Sequence, residues 1–93
     1  MSLGYIANRT GFPEQAVAYH QHALALFREL GDTSSEADVL EQLGHSLTSI
    51  DVIRARQAWE QALKLYEAQH RGPNADRIRA DLDTLPTAVP PIR

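Results

Sequence analysis

Positions that return every three or four residues organise this chain. Ala16, His20, Ala23, Phe27 and Leu30 form one such series, and Ala55, Trp59, Ala62 and Tyr66 form a second. On a helix of 3.6 residues per turn these steps stay on one side, so each series predicts a buried stripe. Leu40, Leu43, Leu47 and Ile50 predict a third stripe, and Ile78, Leu82 and Leu85 a shorter fourth. No stretch sustains a period of two, so the pattern requires no strand.

The breaks agree with the stripes. Gly31 follows Leu30 where a left-handed helix end would sit, and Thr33-Ser34-Ser35-Glu36 has the form of a capping box. Pro13 and Pro73 each suit a first helical position, where a missing N–H costs nothing. These signals predict helices over residues 2–10, 13–30, 34–49, 52–69 and 73–84. The segment 86–93, with Pro86, Pro90 and Pro91, is expected to be a disordered tail.

The chain also repeats itself. Leu3-Gly4 recurs 40 positions later as Leu43-Gly44, and Ala23-Leu24-Ala25-Leu26-Phe27 recurs 39 positions later as Ala62-Leu63-Lys64-Leu65-Tyr66. The second copy has therefore lost one residue between its two motifs. The interhelical turn is the place for that loss: Thr10-Gly11-Phe12-Pro13 in the first copy shortens around Ile50-Asp51-Val52, where Asp51 stands for a turn glycine. Such self-similarity is the mark of stacked helical units.

With these residues in hand, the chain resembles the tetratricopeptide repeat family. That pattern has Leu-Gly on a first helix, then a small residue, an aromatic and an Ala on the second. Leu3, Gly4, Ala16 and Ala23 match it with His20 in the aromatic position, and Leu43, Gly44, Ala55, Trp59 and Ala62 match it in the second copy. The resemblance covers about residues 2–70 and implies an all-α fold: a tetratricopeptide-like α-α superhelix of two antiparallel helical hairpins plus a C-terminal capping helix. The repeat domain is expected over 1–85, with repeat 1 at about 1–31, repeat 2 at about 32–70 and the cap at about 73–85. The wording of Ala23 to Asp32 is also similar to the C-terminal repeat arrays of actinobacterial antibiotic-regulatory activators and related ATPase-type regulators. That similarity implies a piece of a larger bacterial regulatory protein.

Composition narrows the function. The net charge is -3, which gives no basic field for a nucleic-acid backbone, so direct DNA or RNA binding is not expected. There is no cysteine, which removes disulfides, thiolate metal sites and cysteine nucleophiles. No apolar run reaches the ~20 residues of a membrane span, and a cytoplasmic location without membrane contact is expected. The serines lack a Gly-x-Ser-x-Gly elbow and no glycine-rich loop could cradle phosphate, so no enzyme activity, catalytic residue or cofactor is expected.

The resemblance implies that the first helix of each hairpin lines a concave groove for a protein or peptide partner. By spacing from Gly4 and Gly44, the groove residues are Tyr5, Asn8 and Arg9, then Asp38, Glu41, Gln42, His45 and Ser49. Asp38 and Glu41 give that groove an acidic lip unsuited to clamping a terminal carboxylate. The alternative is an ordinary solvated face on a structural scaffold or self-association unit without its own ligand. Glu41 and His45, four apart, could share an ion, but two ligands are too few for a firm site and no metal is expected. His20 is expected to be a packed core histidine, which would tie stability to its protonation, with His22 on the surface. Arg54, Arg56, Arg71, Arg77 and Arg79 resemble a basic cluster, but Glu60, Glu67, Asp76, Asp81 and Asp83 interleave with them at helical spacing, so surface ion pairs are expected. An apolar surface beside Leu3, Ile6 and Phe12 is expected to be masked by self-association, by the C-terminal helix or by a preceding repeat.

Overall fold

The computed structural model describes residues 13–85, and they are helical nearly throughout. Helix α1 is Pro13–Leu30, α2 is Thr33–Leu47, α3 is Val52–Ala68 and α4 is Gly72–Thr84. Packing follows chain order: α1 on α2, α2 on α3, α3 on α4. The connections are two to four residues long, which makes each successive pair antiparallel. The first predicted helix and the proline-containing tail lie outside the described residues, as do Leu3, Ile6 and Phe12. Among the described residues no helix is long and apolar enough to cross a membrane.

Local chemistry sets the ends. Pro13 opens α1 as its spacing predicts, and Gly31 closes it at φ 72°, a left-handed conformation that only glycine adopts cheaply. The Gly31 N–H then donates to the Arg28 carbonyl and the Asp32 N–H to that of Phe27. The expected Thr33 capping box does not form. Asp32 is the N-cap of α2, accepting from the Ser35 N–H at 3.0 Å and the Ser35 hydroxyl at 2.7 Å. A carboxylate outcompetes a hydroxyl there because it also meets the positive end of the helix dipole.

The turn before α3 is corrected in the same way. Asp51, expected only to replace a glycine, is the N-cap of α3 and accepts from the Ile53 and Arg54 N–H groups. Helix α2 stops at Leu47, two residues short of the expected end, with Thr48 turning back onto the His45 carbonyl. Ile50 therefore leaves the Leu40–Leu43–Leu47 stripe and is exposed in the turn. Pro73 lies one residue inside α4, which begins at Gly72.

The core is made by Val17 and Leu24 of α1, Ala37, Leu40, Leu43 and Leu47 of α2, the Ala55-Ala58-Trp59-Ala62-Tyr66 face of α3, and Ala75 and Ile78 of α4. All four members of the predicted α3 stripe are at most 3% exposed. The α1 stripe is less uniform. Ala16 is buried, His20 is half-buried, not core-packed, and Leu30 is 69% exposed at the helix end. Partial burial still holds the His20 imidazole below its ordinary pKa, because the charged ring loses water.

Gly44 makes a close helix contact possible. A Cβ built on it would lie 2.2 Å from two atoms of the Trp59 ring. The missing side chain lets the indole rest directly on the backbone of α2, with its N–H donating to the Glu41 carbonyl at 3.0 Å.

Candidate functional site

The N-cap at Asp32 fixes the register of α2, so Leu40, Leu43 and Leu47 turn inward while Asp38, Glu41 and His45 share the other side. Three of the groove residues expected from sequence are thus brought together. They do not stand free. Helix α4 is held on α3 by Ala75 and Ile78, and its polar residues Arg77 and Asp81, with Arg71 just ahead of it, meet those three side chains one by one.

Glu41 is the hub. Its side chain is 8% exposed, yet both oxygens are satisfied. Arg77 donates through Nε to Oε2 at 2.7 Å and through Nη2 to Oε1 at 2.9 Å, and the Tyr66 hydroxyl lies 2.8 Å from Oε1. Burial alone would raise the Glu41 pKa, but these hydrogen bonds and the charges of Arg77 and His45 outweigh it and hold the carboxyl below its usual range. Burial and the facing carboxylates push the Tyr66 phenol well above its ordinary value. The same carboxylate pushes the Arg77 guanidinium up.

Asp38 extends the network. Its Oδ1 lies 2.9 Å from the Tyr66 hydroxyl and accepts from Arg71 Nη2 at 2.9 Å, so one phenol proton is shared between two carboxylates. Arg71 also sits 4.6 Å above the Tyr66 ring, a cation–π contact. At the far end the His45 ring meets the Trp59 ring edge-on at 5.1 Å, with Nε2 3.8 Å from Asp81 Oδ2. The result is a strip of fixed, alternating charges crossing from α2 to α4.

The other expected groove residues fall elsewhere. Gln42 is exposed on α2, and Ser49 is exposed in the turn beyond its end, because the helix finishes at Leu47. Tyr5, Asn8 and Arg9 lie outside the described residues. The sequence pattern missed Tyr66, Arg71, Arg77 and Asp81 as members of the site. Arg79 does pair with Asp76 at helical spacing and also with Glu67, but Arg71 and Arg77 reach acids 33 and 36 residues away. Their spacing along the chain carries no trace of those partners.

A metal ion is the obvious chemical alternative. Glu41, His45 and Asp81 each offer one ligand atom within 4.8 Å of the others, which supplies the third group that the α2 spacing lacked. The Arg77 guanidinium, however, already occupies both Glu41 oxygens. It provides the positive charge that an ion would bring and would repel one. The donor set therefore fits an ion-pair hub better than a metal centre. No known protein family matches the chain, and neither a curated protein nor a solved structure does.

Proposed function

We propose that this chain is a non-catalytic protein-interaction module of tetratricopeptide-like architecture, and that the α2–α4 strip is its contact surface for a peptide or a neighbouring domain. The observation that carries this reading is the strip itself. Asp38 and His45 keep 54% and 44% of their side-chain surface in solvent, and Arg77 keeps 51%, although each is held in place. Exposed charges fixed by a buried hub lose little entropy on binding, which favours specific contact over a freely solvated face. Alternating signs suit a partner with both acidic and basic side chains and disfavour a uniformly charged polymer. Gln42 stands exposed beside the strip as a neutral hydrogen-bonding group.

Peptides selected from a random library on the full chain provide the test. The double variant Gln42→Arg/His45→Glu is expected to weaken them at least tenfold while the melting temperature stays within a few degrees. Retained binding by that variant would move the site off the strip. If no peptide is selected and sedimentation shows association instead, the chain is a scaffold or self-association unit.

A further inference from the structure

Helices α1 and α3 both pack on α2, and between them they leave a hollow on the side of α2 that carries Leu40, Leu43 and Leu47. The strip lies on the other side of that helix, at Asp38, Glu41 and His45. Those three leucines and Leu24 of α1 make an apolar floor, and Arg28, Arg54, Gln57 and Gln61 make the rim. The hollow measures about 160 Å³, below the ~300–1,000 Å³ of small-molecule sites. It has room for an anchoring side chain, not for a free ligand of drug size.

The rim gives the hollow its preference. The chain carries a net charge of -3, yet the residues lining this hollow include two guanidinium groups and no carboxylate. Arg28 spans the two walls: its Nη2 donates to Gln61 Oε1 at 3.1 Å, and its Nε to Glu36 Oε2 at 2.9 Å. Those bonds leave the rest of its donor fork open. Arg54, expected to join a surface ion pair, is exposed and has no acidic partner among the described residues. Its position is also unfavourable. Asp51 caps α3, so Arg54 stands in the first turn, where the helix dipole disfavours a cation. An unpaired cation there costs α3 stability and gains nothing from the fold, which marks it as a group with an outside counter-charge.

The helices fix the spacing of the counter-charges. Arg54 and Gln61, where Arg28 is held, are seven residues apart on α3, two turns or roughly 10 Å. A partner helix laid along α3 repeats that distance with acids at i and i+7, and its residue i+4 then falls on the same face, over the leucine floor. An extended segment would instead lay unpaired backbone groups over apolar side chains, whereas a helix satisfies its own.

We propose that this hollow docks an acidic amphipathic helix of a protein partner, with one aliphatic side chain on Leu40, Leu43 and Leu47 and carboxylates seven residues apart on Arg54 and Arg28.

The probe is an alanine-based peptide with Glu at i and i+7 and Leu at i+4, labelled with fluorescein and titrated with the full chain. Saturable anisotropy is expected, with amide shifts at Leu24, Arg28, Arg54 and Gln57. Arg54→Glu is expected to weaken binding at least tenfold, and changing one peptide Glu to Lys should restore it on that variant. The variant keeps its fold, because Glu in the first turn suits the helix dipole, and an unchanged melting temperature checks this. Equal affinity for parent and Arg54→Glu, amide shifts confined to Asp38 and His45, or no binding by the parent would each overturn the docking site. So would a doubled mass in sedimentation that Arg54→Glu returns to monomer, since a second copy would then fill the hollow. Failure here leaves the strip untouched, because its test alters Gln42 and His45 alone.

Discussion

Gly44 and Trp59 show how one absent methyl group controls a helix contact. With the indole 2.2 Å from where a Cβ would sit, Gly44→Ala forces either the ring or α2 to move. The substitution gains about 1 kcal/mol of helix propensity. It loses about 1–3 kcal/mol to overpacking and also strains the bond from the Trp59 N–H to the Glu41 carbonyl. The clash is expected to win, lowering the melting temperature by about 4–8 °C for each kcal/mol lost. Trp59 is the single tryptophan, so its fluorescence reports the transition. An unchanged or raised melting temperature would show that the ring moves aside freely. Leu43-Gly44 was readable in the sequence as half of a repeated motif. The atom it makes room for was not, because Trp59 lies on another helix.

Individual helices follow local signals where those signals concern neighbours in the chain. Gly31 ends α1 and Asp51 starts α3, and both effects are decided within four residues. Asp51→Ala is expected to cost about 1 kcal/mol by leaving the Ile53 and Arg54 N–H groups without their acceptor. Asp51→Asn keeps the oxygen and should stay within a few tenths of the parent in urea melts. Equal losses for the two variants would mean that charge, not the hydrogen bond, sets this helix start. For α4 the balance between forces differs. Ile78, with no exposed surface, contributes about 2 kcal/mol by burial, more than the ~0–1 kcal/mol of an exposed ion pair. The apolar contact thus docks α4, and the pairs to Asp38, Glu41 and His45 fix its register.

Among the described residues, the titrations of His20 and Glu41 oppose folding as pH falls, in separate windows, and Asp32, held down by its hydrogen bonds from Ser35, shares the acid window with Glu41. His20 has a lowered folded pKa, so the unfolded chain binds its proton more readily. Its contribution is complete above the ordinary value of 6.5 and is lost as pH drops towards the lower folded value. Glu41 has a lowered folded pKa for the opposite chemical reason, a paired carboxylate. Its contribution is present above the ordinary 4.5 and is lost as pH falls through the depressed folded value. Melts followed by Trp59 fluorescence should therefore show two separate declines, the upper one removed by His20→Gln and the lower one reduced by Glu41→Gln, with the Asp32 share remaining. A flat profile through both windows would contradict both assignments. The sequence by itself determined the all-helical character of the described residues, the buried stripe of α3, the inward place of Ile78 on α4, and the ends set by Pro13 and Gly31, because propensity, periodicity and capping act over a few residues. Only the tertiary structure decided that Glu41 is a buried hub, that Arg71 and Arg77 leave their local acids for α2, and that His20 is only half-covered. Those outcomes depend on charges and rings brought together from distant parts of the chain, which no local spacing encodes.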